Sequence, residues 1–133
     1  MPSESYALIW RAVRERHQLT FRYEEHEREV CPLILGYGAD GHEALSAYQF
    51  GGATSGKRKL PEWRCFDLGK IRELTARPGP WLEGDSHTQV QSYVRYVDVD
   101  ANIADTLKRK EPLWFGSPQL RALRSLRPPR RSK

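Results

Sequence analysis

Short runs of alternating apolar and polar residues fill the stretch from Leu19 to Leu74 of this chain. Alternation with a period of two is typical of strands that bury one face. It predicts five strands, at residues 19–23, 30–35, 44–50, 63–68 and 72–77. The charged run 24–29 is predicted to turn, Asp40-Gly41 is a strong hairpin signal, and 69–71 is predicted to bend tightly. The pattern therefore predicts a mainly β fold.

Helical spacing replaces this alternation before the first strand. Ser3 or Ser5 can cap a helix that runs to about His17. The apolar residues that would form its buried stripe are Tyr6, Ile9, Trp10 and Val13. A helix followed by five short strands, with a tight bend before the last, is the element order of a small Sm-like, SH3-type β-barrel. We therefore predict such a barrel over residues 1–79, preceded by its N-terminal helix and flanked by further helices.

Residues 80–133 form a predicted C-terminal appendage that contains a strand and helices. Valines and a tyrosine between residues 90 and 99 predict a sixth extended segment. Asp100 or Asn102 can cap a short helix that ends at Lys110. Ser117-Pro118 is a favourable start for another helix, because proline is tolerated at the first helical position.

The net charge of +5 is concentrated in the C-terminal tail. Residues 112–133 contain six of the 22 basic residues and none of the 17 acidic ones, so the rest of the chain is close to neutral. Clustered arginines can contact nucleic-acid phosphates without reading sequence. The tail residues predicted to do so are Arg121, Arg124, Arg127, Arg130 and Arg131. A solvated helix face is the alternative.

Several classes of protein find no support in the sequence. Cys31 and Cys65 lie in predicted strands without a second ligand at short spacing, so we expect buried thiols and no metal site. No phosphate-binding glycine loop or hydrolase motif occurs, and a hydrolase pairing a cysteine with a histidine is the one enzymatic alternative. With no signal-peptide pattern and no membrane-length apolar run, we expect a cytoplasmic protein without a cofactor.

Two arginines stand two residues before an apolar strand residue: Arg28 before Val30, and Arg64 before Phe66. Residues at i and i+2 share one face of a strand, so each arginine is predicted to face inward or beside a cleft. The planar guanidinium donates two parallel hydrogen bonds to phosphate or carboxylate oxygens. The spacing indicates an anion-binding site, and structural pairing with nearby acids is the alternative.

Four sequence pieces occur in a fixed order: Phe21-Arg-Tyr23, Arg28-x-Val30-x-Pro32, Gly41-x-x-x-Leu45 and Arg64-x-Phe66-x-Leu68-x-Lys70-Ile71. The set resembles the WYL domain family over about residues 5–77. The tripeptide that names the family falls at Glu43-Ala44-Leu45, where only the leucine is kept. Because only about 18 residues precede the first strand, we expect no helix-turn-helix there, and any regulation to act through a partner or the tail.

The resemblance implies a ligand-sensing module of the kind found in bacterial transcription regulators and phage-defence proteins, which binds nucleic acid or nucleotides in a basic groove. The family's basic positions carry over to Arg28, Arg64 and Lys70. Tyr23 and Tyr48 are candidates for stacking on bases, with barrel core as the alternative. The loop residues Lys57, Arg58 and Lys59 are candidates for closing over an anion, with a solvated loop that resists aggregation as the alternative.

The leading hypothesis is therefore a non-enzymatic module that binds nucleic acid or a nucleotide, with single strands favoured. The alternative is a protein-interaction module, forming a homodimer, that binds no nucleic acid.

Overall fold

The computed structural model describes residues 2–53, 62–84, 91–114, 116–118 and 120–121. Helix α1 spans Glu4–Glu15, and Ser3 caps it because its Oγ accepts a hydrogen bond from the Tyr6 amide at 3.1 Å. The helix ends at Arg16, whose φ of 56° and ψ of 49° lie in the left-handed region. The predicted stripe is confirmed: Tyr6, Ile9, Trp10 and Val13 are all buried.

Six strands follow: β1 Gln18–Tyr23, β2 His26–Tyr37, β3 Glu43–Gly52, β4 Glu62–Asp67, β5 Arg72–Arg77 and β6 Tyr96–Asp100. They form one antiparallel sheet in the order β4-β3-β2-β1-β5, with β6 also paired to β2. The two end strands, β4 and β5, do not pair with each other in the described part of the chain, so the sheet is not closed there. The predicted mainly β fold with a flanking helix is confirmed.

Strand β2 is longer than predicted at both ends. Its first residues pair with β1, and its last residues, from Ile34 to Tyr37, pair with β6. The predicted turn over residues 24–29 is wrong, because Tyr23 pairs directly with His26 and only Glu24 and Glu25 remain in the turn. Strand β6, which comes from the predicted appendage, therefore belongs to the same sheet as the other five.

The core lies on one face of the sheet and beneath α1. Every second residue of β1 points inward, and Leu19, Phe21 and Tyr23 are buried. The rings of Phe21, Tyr23 and Phe66 pack edge to face, with centroids 4.9–6.4 Å apart. This aromatic cluster forms one end of the core, next to the β1–β2 turn.

The C-terminal segment is tied to α1 and β2 through the buried carboxylate of Asp98. Asp98 Oδ2 accepts hydrogen bonds from the Tyr6 hydroxyl and from the Leu113 amide, both at 2.8 Å. The Tyr37 hydroxyl donates to the Leu113 carbonyl at 2.7 Å. These bonds hold residue 113 against the helix and the sheet.

The helix predicted from Asp100 or Asn102 to Lys110 is corrected to a short 3₁₀ helix at Ala104–Lys108. Its cap residue, Ile103, makes no side-chain capping hydrogen bond. The Asp100 carboxylate instead accepts a hydrogen bond from the Asn102 amide at 2.8 Å, which forms a local turn. A side chain engaged in that turn does not cap the helix.

Candidate anion-binding site

Arg28 and Arg64, called here the arginine pair, lie on the inner face of the sheet at the end of the aromatic cluster. Arg28 is on β2, and Arg64 is on β4, where it pairs with Ala47 of β3. Gln49, two residues beyond Ala47 on the same face, is hydrogen-bonded to Arg28. Three adjacent strands therefore place polar side chains in one region that is otherwise apolar core.

The guanidinium of Arg28 is almost completely enclosed, with 1% of the residue exposed. Its Nη1 donates to Gln49 Oε1 and its Nη2 donates to the Tyr23 carbonyl, both at 3.2 Å. The rings of Tyr23 and Phe66 lie 5.7 and 5.8 Å from its central carbon. Aromatic faces at this distance attract a cation, which partly offsets the cost of its burial.

Each member of the arginine pair has a buried donor that is not used. The Nε groups of Arg28 and Arg64, and Nη2 of Arg64, have no hydrogen-bond partner among the described residues. Arg64 Nη2 forms an ion pair with Glu62 Oε1 at 2.9 Å, without hydrogen-bond geometry, and the Arg64 side chain is 13% exposed. Buried donors are nearly always satisfied in proteins, so three open donors in one region indicate a place for an acceptor-rich ligand.

The positive charges of Arg28 and Arg64 repel each other. Burial lowers the pKa of the Arg28 guanidinium, and the positive charge of Arg64 lowers it further. The Glu24 carboxylate and Tyr23 act in the opposite direction. Because like charges in a poorly solvated region repel, an anion bound between them would relieve a cost that the ligand-free site carries.

The structure separates the predicted stacking residues. Tyr23 belongs to the site, but its ring is buried in the aromatic cluster and its hydroxyl accepts a hydrogen bond from the Asp67 amide at 3.1 Å. Tyr48 neighbours Gln49 on β3 and therefore points to the opposite face of the sheet. There its ring centroid lies 5.2 Å from the ring centroid of Trp63. Tyr48 therefore lies on the face of the sheet opposite to the arginine pair.

The remaining predicted basic residues lie at exposed positions on other elements or outside the described residues. Lys70 is exposed in the 3₁₀ turn Leu68–Lys70 between β4 and β5. Arg121 is exposed, and its Nη2 donates to the Gly116 carbonyl at 3.4 Å. The candidates that lie outside the described residues are Lys57, Arg58, Lys59, Arg124, Arg127, Arg130 and Arg131.

The structure corrects the prediction for one of the two thiols. Cys31 is buried as predicted, but Cys65 is exposed. Cys65 lies between Arg64 and Phe66 on β4, and both of those residues face inward, so its own side chain faces outward. Among the described residues, no three acidic, histidine or cysteine side chains are grouped so that they could hold a metal ion.

Sequence reasoning missed two residues of the site. Gln49 could have been found, because it continues the inner-face series of Leu45 and Ala47 with a polar side chain. Glu24 carried no signal beyond its charge, yet its Oε1 lies 3.7 Å from Arg28 Nη2. The arginine pair therefore has one acidic neighbour on each side, Glu24 and Glu62.

The assignment of this site is based on the geometry of the arginine pair. No protein-family model, curated protein or solved structure matches the chain. A membrane-spanning helix would have to be longer and more apolar than any helix in the part of the chain that the structure describes.

Proposed function

We propose that the chain is a non-enzymatic WYL-type module that binds nucleic acid or a nucleotide through the arginine pair. The observation that carries this proposal is the burial of two neighbouring guanidinium groups whose Nε donors are unused. A site of this kind costs the free protein stability, and a ligand with several negative oxygens would recover that cost.

A phosphate group fits the donors that the pair presents. Arginine binds a phosphate most strongly when Nε and one Nη donate in parallel to two oxygens. Both Nε groups are open, and the contacts that occupy Arg28 are two neutral acceptors at 3.2 Å and a carboxylate at 3.7 Å. A ligand could therefore form shorter, charge-assisted bonds than those present in the ligand-free protein.

The strand order supports a barrel of the Sm-like, SH3 type, as the WYL resemblance implies. Strand β1 lies between β2 and β5, and a 3₁₀ turn at Leu68–Lys70 connects β4 to β5. The departure at Glu43 from the family's tripeptide has a structural use, because Glu43 accepts hydrogen bonds from the Ser3 amide at 2.9 Å and from its hydroxyl. Glu43 thus joins the start of α1 to the start of β3, and it is not a ligand residue in this proposal.

Binding to a fluorescent single-stranded oligonucleotide across a salt series tests the function. We expect binding at low salt that weakens as salt rises, because phosphate contacts release counter-ions. A chain that ends at Arg121 keeps the buried Leu120 but lacks the distal tail arginines. Its log–log salt slope should be shallower by about 0.7 for each phosphate that the tail would otherwise neutralise.

Absence of binding at low salt would contradict the proposed function. An unchanged salt slope in the shortened chain would remove the tail from the binding surface and leave the arginine pair as the whole site.

A further inference from the structure

The two-residue turn between β1 and β2 has a backbone conformation that its two residues, both glutamates, seldom adopt. Glu24 and Glu25 have φ values of 51° and 67°, in the left-handed region. Two-residue hairpin turns of this kind favour asparagine and glycine, which adopt positive φ at little cost. This conformation is strained for glutamate, and strain kept at a residue of this type suggests a use for its side chain.

Only one of the two glutamates has a visible use. The Glu24 carboxylate lies 3.7 Å from Nη2 of Arg28, whereas Glu25 forms no ion pair with another described residue. The Glu24 side chain is 54% exposed and the Arg28 side chain is 1% exposed. A solvated carboxylate thus reaches from the turn towards a buried cation.

The contact between Glu24 and Arg28 is weak enough for the Glu24 carboxylate to be displaced. At 3.7 Å it is longer than a good charge-assisted hydrogen bond. Because Glu24 is more than half exposed, its carboxylate returns to water at little cost when it moves away. Rotation of the Glu24 side chain is enough to move the carboxylate away, so the turn and the Tyr23–His26 pairing can stay as they are.

We propose that Glu24 is a displaceable internal counter-ion, which partly neutralises Arg28 in the ligand-free protein and gives way to a phosphate group of the incoming ligand. This inference rests on the proposed function of the arginine pair. It adds that the β1–β2 turn controls access to Arg28 and that the carboxylate competes with the ligand. Glu62, on the other side of the pair, lies nearer to its arginine, at 2.9 Å, and its side chain is only 22% exposed, so it is the less displaceable of the two carboxylates.

The test compares wild type, Glu24→Gln and Glu25→Gln for binding of the fluorescent oligonucleotide, with inorganic phosphate as competitor. Both substitutions remove one charge from the same turn and keep side-chain size. Only Glu24→Gln removes the competing carboxylate, so we expect it to bind about fivefold tighter than wild type. Glu25→Gln should bind like wild type apart from a small effect of net charge.

A second readout, the stability to denaturant, needs no oligonucleotide. In phosphate-free buffer, Glu24→Gln should unfold at lower denaturant than Glu25→Gln, because Arg28 no longer has its carboxylate neighbour. Added phosphate should narrow that difference, since it replaces the missing charge.

The outcomes separate the two proposals. Equal affinity for all three proteins, with binding intact, would overturn the role of Glu24 and leave the anion site standing. An equal gain in both variants would reduce the effect to net charge and would also overturn it. No binding by any of the three would overturn the proposed function, and the role of Glu24 with it.

Discussion

Replacing Arg28 with methionine should reduce oligonucleotide binding by at least about 100-fold while the protein stays folded, since two charge-assisted hydrogen bonds contribute about 3 kcal/mol or more. Methionine is flexible enough to fill the space between Tyr23 and Phe66. The loss of the hydrogen bonds to Gln49 and to the Tyr23 carbonyl is offset by no longer burying a charge. We therefore expect the free energy of unfolding to stay within about 2 kcal/mol of wild type.

Two companion variants sharpen this result. Arg64→Lys keeps the charge but loses the planar fork, so its affinity should lie between those of wild type and Arg28→Met. Arg95→Met removes one positive charge at an exposed position and should leave binding close to wild type. Fluorescence anisotropy measures binding, and urea denaturation shows that each variant is folded. Wild-type affinity in folded Arg28→Met would remove Arg28 from the site.

Replacing Asp98 with alanine should lower the free energy of unfolding by about 3–5 kcal/mol, the largest loss of stability expected among these variants. Asp98 is fully buried, and its carboxylate accepts from the Tyr6 hydroxyl and the Leu113 amide and lies 3.4 Å from Arg109 Nε. Alanine leaves both donors buried without an acceptor and removes the hydrogen bond between Tyr6 of α1 and β6.

Urea denaturation gives the measurement, and Asp105→Ala is the control. Asp105 pairs with Lys108 at 3.2 Å, but both side chains are mostly exposed, so this substitution should change stability little. Similar losses in the two variants would show that Asp98 does not tie the C-terminal segment to the rest of the fold.

Asp98 should also make stability depend on pH. Burial raises the pKa of its carboxyl above the ordinary value, against the opposing effect of its hydrogen bonds and Arg109. The folded state then holds the Asp98 proton more tightly than the unfolded state does. The stabilisation that this proton gives is fully present below the unfolded pKa of about 4, and it is lost as the pH rises through the raised pKa of the folded state. The difference in unfolding free energy between wild type and Asp98→Asn should therefore fall with rising pH. If the unfolding free energy of wild type relative to Asp98→Asn rises or stays constant as the pH increases from about 4, the pKa of Asp98 is not raised by folding.

The sequence predicted a strand such as β1 well because it buries one face, although β5 was also predicted correctly while most of its residues are exposed. Alternation at Leu19, Phe21 and Tyr23 marked β1, and the same rule explains why Arg28 and Arg64 face inward with Val30 and Phe66. The end of β2 was missed because Gly36 and Tyr37 resemble the start of a turn. They remain in the strand because β3 pairs with them on one side and β6, about sixty residues away in sequence, pairs with them on the other.

Other features of the site depend on tertiary contacts that leave little trace in sequence. Two glutamates do not resemble a left-handed hairpin turn, so the run 24–29 was predicted as one longer loop. Pairing of Tyr23 with His26 overrides that local preference. The opposite facing of Tyr48 and Gln49 follows from strand alternation, but which face carries the site is decided only when Arg28 and Arg64 come together.

Binding of the anion by the arginine pair is tested by following the Nε–Hε NMR signals of Arg28 and Arg64 during titration with the oligonucleotide, with assignments from the Arg28→Met and Arg64→Lys variants. Both Nε groups are open in the ligand-free protein, so we expect both signals to shift together and to saturate with one affinity, while the Arg95 signal stays in place. Unchanged Arg28 and Arg64 signals at saturating oligonucleotide would show that the anion is bound elsewhere and that the arginine pair is not the binding site.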